Sequence, residues 1–157
     1  MTREDVLKGL QERFRDDIID LYDRSHKRVY MEIIPDALPR VAMYIFRDLG
    51  ARFNIASGTD TRTHMEILYH FSLEEINLII SLRVKLDREK PAIASIAKLI
   101  IGANWIEREM YELLGIQFIG HPDLRRLLLA DEWPRGVYPL RTDYEEWDKS
   151  AVRDRGV

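Results

Sequence analysis

The spacing of apolar residues switches repeatedly between two periods along this chain, and that alternation limits the fold more than any other feature. Val6, Leu7, Leu10 and Phe14 recur at helical steps, and Thr2 followed by Asp5 supplies the start of that helix. Two runs rich in branched and aromatic residues come next, Ile18 to Tyr22 and Val29 to Ile33, around the polar stretch Asp23 to Arg28, so a hairpin with a longer loop is predicted. From Pro35 the helical period returns through Leu38, Val41, Ala42, Ile45, Phe46 and Leu49, with Gly50 placed as its C-cap. Phe53 to Ala56, Met65 to Phe71 and Ile76 to Lys85 read as three further strands in a meander, with the polar Ser57 to Thr61 as a turn. Beyond Pro91, a last helical segment is marked by Ile96, Leu99, Ile100, Ala103, Ile106, Met110, Leu113 and Leu114, with a break at Gly102 and an end at Gly115. Helix, two strands, helix, three strands, helix is an α+β order: a mixed or antiparallel sheet of about five strands covered by helices.

After Gly115 the pattern stops. Pro122, Pro134 and Pro139 interrupt the chain, yet it carries Trp133, Tyr138, Leu140, Tyr144 and Trp147. Long segments without regular structure are usually functional or disordered, and disorder goes with few aromatics. From His121 onward the chain, stretched at about 3.3 Å per residue, reaches on the order of 120 Å, far enough to lie along a neighbour. Residues 1–115 are therefore read as a compact α+β domain and residues 116–157 as an extended C-terminal docking arm. Within the arm, Pro122 and Asp123 suit the start of a short helix whose sticky side would be Leu124, Leu127 and Leu128. The alternative is a tail that packs back on its own sheet.

Composition removes several kinds of chemistry. The absence of cysteine excludes thiolate metal sites, Cys-ligated iron–sulfur clusters and a Cys nucleophile from this chain. A net charge of −3 argues against nucleic acid as the partner. The apolar runs fall far short of the roughly 20 residues of a membrane span, so no direct membrane span is expected. There is no dinucleotide fingerprint, P-loop, HExxH or nucleophile elbow. Ser95 and Lys98 match S-x-x-K without its companion elements, and Ser95 is better explained as a helix N-cap.

His64, Glu66 and His70 share one side of a strand, but Glu66 and His70 stand roughly 13 Å apart at about 3.3 Å per residue, too far for one ion. They are read as the solvated face of a strand whose core face is Met65, Ile67, Tyr69 and Phe71. Glu107, Arg108, Glu109 and Glu112 form the densest charged cluster. With His121 it offers acid and base groups for a stand-alone enzyme, but a charged helix flank with Arg108 paired to Glu112 is the simpler reading. Arg125, Arg126, Arg135 and Arg141 suit carboxylate partners at a protein interface. No catalytic, cofactor-binding or metal residue is assigned.

The run Asn104-Trp105-Ile106-Glu107-Arg108-Glu109-Met110-Tyr111-Glu112-Leu113-Leu114-Gly115-Ile116, then Phe118, then Gly120-His121-Pro122-Asp123-Leu124-Arg125-Arg126-Leu127-Leu128, and Pro139-Leu140-Arg141 before Tyr144, resembles the signature of the 30 kDa subunit family of respiratory complex I, the NADH dehydrogenase. The family is shared with the equivalent subunits of membrane-bound NiFe hydrogenases and related archaeal complexes. Leu114 stands where an aromatic is common, and Thr142 where Lys is common. The resemblance implies a peripheral, non-catalytic subunit on the cytoplasmic face of the membrane, without a cofactor of its own. Iron–sulfur clusters, with NiFe or flavin in some members, would sit on partner subunits: the large catalytic (49 kDa-like) subunit and the small iron–sulfur subunit of a hetero-oligomeric complex attached to membrane subunits. The partner interface it implies comprises Glu107, Arg108, Glu109, His121, Pro122, Asp123, Leu124, Arg125, Arg126, Leu128, Trp133, Pro139, Leu140, Arg141 and Tyr144. A soluble adaptor outside any redox complex is the reading from another class.

Overall fold

A computed structural model describes residues 1–148. Helix α1 (Arg3–Arg13) opens with the predicted capping box: the Asp5 amide donates to Thr2 Oγ1 at 3.2 Å and the Thr2 amide to the Asp5 carboxylate at 2.9 Å. Strands β1 (Ile18–Ser25) and β2 (Arg28–Ile33) form the expected hairpin. The second helical stretch is less regular than its periodicity suggests. A 3₁₀ turn at Pro35–Ala37 leads into α2 (Leu38–Met43), which widens into a π turn at Tyr44–Asp48 before Gly50 takes a positive φ of 70°.

Strands β3 (Arg52–Asp60), β4 (His64–Leu73) and β5 (Leu78–Asp87) make the antiparallel meander. The full sheet has the order β1-β2-β5-β4-β3, and it is mixed because β2 runs parallel to β5. Burial alternates residue by residue along β4, so Met65, Ile67, Tyr69 and Phe71 face the core while His64, Glu66 and His70 lie half-buried on the other side. There Glu66 pairs with Arg83 at 3.4 Å and His70 Nδ1 lies 2.8 Å from Ser81 Oγ.

Two expectations are corrected. Ser57, Gly58 and Thr59 are not a turn; they continue β3, and the reversal falls at residues 61–63. Tertiary packing overrides their polarity, because Gly58 lies beneath the last turn of the third helix. A Cβ built there would sit 2.6 Å from Leu114 Cδ1 and 3.1 Å from Met110 Sδ. Gly58→Ala should therefore destabilise the chain by about 1–3 kcal/mol, the usual cost of overpacking. Chemical denaturation checks this, and an unchanged midpoint would show that the helix lies farther away.

The second correction concerns Ile96 to Gly115. Residues 97–99 form a turn and Ile101–Ala103 a 3₁₀ turn, so the α-helix proper, α3, spans only Asn104–Leu114. Ser95 accordingly caps a turn rather than a helix, its Oγ accepting from the Ala97 amide at 3.1 Å. On either side of this segment lie two short strands the sequence pattern does not reveal, β6 (Ala92–Ala94) and β7 (Gln117–Ile119), paired in parallel. Three-residue strands are too short to show a period. The regular body runs on through β7, and the stretch without helix or strand begins at Gly120.

Candidate functional site

Helix α3 reverses the expectation for its charged residues. Glu107, Arg108 and Glu112 are buried, Glu107 completely. Arg108 and Glu112 do not pair with each other; both bind the backbone of the arm. The Arg108 guanidinium donates to the carbonyls of Arg125 at 3.0 Å and Arg126 at 2.7 Å. The Glu112 carboxylate accepts from the amides of Leu127 at 2.8 Å and Leu128 at 2.7 Å. In the predicted short helix at Pro122 to Leu128 the Leu127 and Leu128 amides would have bonded carbonyls one turn back; here Glu112 takes both, and that helix does not form. A helix flank becomes a template that fixes an irregular backbone, which satisfies the rule that buried polar groups find partners.

Glu107 faces inward at the other end of α3. Its carboxyl meets the Ser95 hydroxyl and accepts the Ile96 amide at 2.8 Å. Burial pushes its pKa up to about 7, against the opposing pull of those two hydrogen bonds. His121 stands 3.8 Å away, too far for a hydrogen bond. Its Nδ1 accepts the Asp123 amide at 2.9 Å and its Nε2 lies 3.0 Å from the Asn104 carbonyl, so the imidazole is the neutral Nε2–H tautomer. Tyr69 is also buried here, its hydroxyl without a hydrogen bond among the described residues. Burial, and then the Glu107 charge, hold that hydroxyl well above its usual pKa.

The arm then crosses the C-terminal end of α3. Gly115 takes a φ of 78° as the C-cap, and a Cβ there would sit 2.5 Å from the Tyr138 ring. The last helical carbonyls, left without partners by the helix itself, are met by the arm. The Leu140 amide donates to Leu113 at 3.0 Å and Arg141 Nε to Leu114 at 2.8 Å. Farther on, the buried Asp60 carboxylate at the end of β3 accepts the Thr142 amide and hydroxyl at 3.0 and 2.9 Å. It also accepts the Arg62 amide at 2.8 Å and both arms of Arg88 at 2.8 Å. The Arg88 guanidinium holds this carboxyl well below the usual carboxylate range, against burial and with help from the Thr142 and Arg62 amides.

The arm thus lies on its own body, with Leu124 packed against the core, yet it leaves several large apolar groups in the open. Leu128, Leu140 and Trp147 remain exposed, and Trp133 stacks on Tyr144 with ring centroids 6.0 Å apart, its indole N–H donating to the Val137 carbonyl at 2.8 Å. Pro122, Asp123 and Arg125 are exposed, while Glu109, Leu124, Arg126, Pro139, Arg141 and Tyr144 are half-buried. Of the expected interface residues, Glu107 and Arg108 have side chains that are buried and bonded inside this chain. Asp60, Arg88 and Thr142 were missed, because ligands so far apart in sequence leave no spacing to read. Trp105 and Ile101 were missed too, although a signal existed: they sit four residues apart and off the apolar side of the helix.

A family model described as respiratory-chain NADH dehydrogenase, 30 Kd subunit, matches residues 31–150. The chain is 31% identical to a subunit of the F(420)H(2) dehydrogenase of Methanosarcina mazei, covering 98% of this chain and 99% of that one. It is 33% identical to a subunit of the NADH-quinone oxidoreductase of Chloroherpeton thalassium, over 90% of this chain but 60% of that one. In fold it is similar to a chain in a structure of a membrane-bound sulfane sulfur reductase, an archaeal respiratory membrane complex, with a TM-score of 0.77 at 18% identity over 92% of this chain and 86% of the other.

Proposed function

Because the chain belongs to the respiratory-chain NADH dehydrogenase 30 Kd subunit family, we propose that it is a non-catalytic, peripheral subunit of a membrane-attached, ion-pumping oxidoreductase of the complex I or energy-converting hydrogenase type. Its task is positional. It holds the large catalytic subunit and the small iron–sulfur subunit at a fixed separation on the cytoplasmic face of the membrane. The clusters, and NiFe or flavin where present, belong to those partners.

One observation carries this reading. An irregular arm keeps Leu128, Leu140 and Trp147 in the open while its backbone is bolted to α3 and β3 by Arg108, Glu112 and Asp60. A rigid backbone presenting large apolar groups suits docking, because little conformational entropy remains to be lost on binding. No helix among the described residues is long and apolar enough to cross a membrane, so attachment would pass through other subunits. The acid–base enzyme reading is disfavoured by geometry: Glu107 is wholly buried and Glu112 holds two amides.

Affinity purification of the tagged full chain from native membranes tests the proposal. The expected result is co-elution with an iron–sulfur subunit, a large subunit and membrane subunits, identified by mass. Recovery of the chain alone would overturn it.

A further inference from the structure

The start of β3, the start of α3 and the arm enclose a groove of about 350 Å³ with Phe53 and Ile106 among its lining. Its rims carry apolar groups in the open: Ile55 on β3, Trp105 on α3, which is 69% exposed, and Leu128 on the arm. Ile101, 85% exposed, precedes Trp105 by one helical turn. Single exposed hydrophobes are ordinary, but several around one groove mark an interaction site.

The groove also carries one charge without an internal partner. Glu109 lies one turn beyond Trp105, so Ile101, Trp105 and Glu109 form a single stripe. Whereas the Glu107, Arg108 and Glu112 side chains are all bonded within the chain, the Glu109 carboxylate makes no hydrogen bond or ion pair with any other described residue. Asn54, the other polar lining group, already accepts the Ser72 hydroxyl at 3.0 Å. The arm's side of the groove is fixed rather than mobile, because Glu112 grips the amides of both Leu127 and Leu128.

We propose that this groove seats an apolar segment of a neighbouring subunit that presents a Lys or Arg to the Glu109 carboxylate. The inference rests on the subunit reading above and deepens it by naming the surface and the chemistry of its occupant. Charge complementarity selects that occupant: an acidic segment would face a like charge. A second copy of this chain, paired about a two-fold axis through this groove, would enclose two Glu109 carboxylates in one interface. Trp105 is the anchor, and Glu112 is a positioning residue that sets the groove's width by holding the arm.

The test uses the complex purified from membranes through a tag on this chain. Trp105→Ala is expected to weaken retention of the neighbour roughly 30-fold, as loss of a buried aromatic anchor does. Glu109→Lys is expected to weaken it more than Glu109→Gln. Trp105 is exposed and the half-buried Glu109 carboxylate has no bond to lose within the described residues, so the melting temperature should not change. As a measurement independent of these variants, benzoylphenylalanine placed at position 101 should crosslink to a peptide of another subunit that carries Lys or Arg among apolar residues. Replacing that residue by Glu should restore retention of Glu109→Lys. Unchanged retention in both variants, or an adduct on a second copy or on residues 149–157 of this chain, would overturn the groove while leaving the subunit reading intact. A wild-type chain that brings down no iron–sulfur subunit would instead overturn the subunit reading.

Discussion

Asp60→Ala is expected to cost the chain about 3 kcal/mol and to free the arm around Thr142. The carboxylate is fully buried and gathers the Arg88 guanidinium, the Arg62 amide, and the amide and hydroxyl of Thr142. Removing one member of a buried ion pair strands its partners, which costs about 3–5 kcal/mol in the interior. The lower end applies here because Arg88 keeps one edge in water and a second contact, to Asp143 at 3.3 Å. Two readouts check it: the denaturation midpoint, and limited proteolysis of the arm, which should accelerate more than cleavage of the body.

The same residue predicts acid sensitivity. A carboxyl held far below its ordinary pKa in the folded chain binds a proton more readily once unfolded. Its stabilisation is therefore present above about pH 4 and is lost as the pH falls below that value. Asp60→Asn should show a shallower loss of stability on acidification. Equal slopes for the two proteins would mean that the carboxylate is not charged in the fold.

Glu107 gives the opposite dependence. Its folded pKa is about 7 against an ordinary 4.5, so the folded state binds the proton more tightly than the unfolded chain. The contribution is complete below about pH 4.5 and declines as the pH rises through 7, by an amount on the order of 3 kcal/mol. The surroundings agree with a neutral carboxyl: a neutral His121, an uncharged Tyr69 and a Ser95 hydroxyl able to accept a hydrogen bond. Glu107→Gln preserves the acceptor for the Ile96 amide and offers a donor to Ser95, without a charge to bury. It should match the wild type near pH 5 and exceed it near pH 8, so that the two stability profiles diverge as the pH rises. Parallel profiles would show that Glu107 is ionised throughout. Glu107→Ala should be unstable at every pH, because it leaves a cavity and an unpaired amide.

These residues mark the limits of what the chain discloses before it folds. The α+β order, the capping box at Thr2, the core face of β4 and the end of α3 at Gly115 follow from period, caps and turn chemistry, which act over a few residues. The family resemblance was likewise carried by contiguous runs between Asn104 and Tyr144. The strand at Ser57 to Thr59 was not visible, because only contact with Leu114 explains a glycine there. Nor was the burial of Glu107, Arg108 and Glu112, since charge predicts exposure unless the partner is known. Their partners are largely backbone groups of segments that have no period of their own.

The sequence by itself determined the helices, the main strands and the irregular character of the C-terminus, because each depends on neighbours within a turn or a strand. Only the tertiary structure decided that the arm returns to the body and which of its apolar groups stay bare. That choice is made by Asp60, Arg108 and Glu112, whose buried charge is tolerable only where distant amides, carbonyls and a guanidinium converge on it.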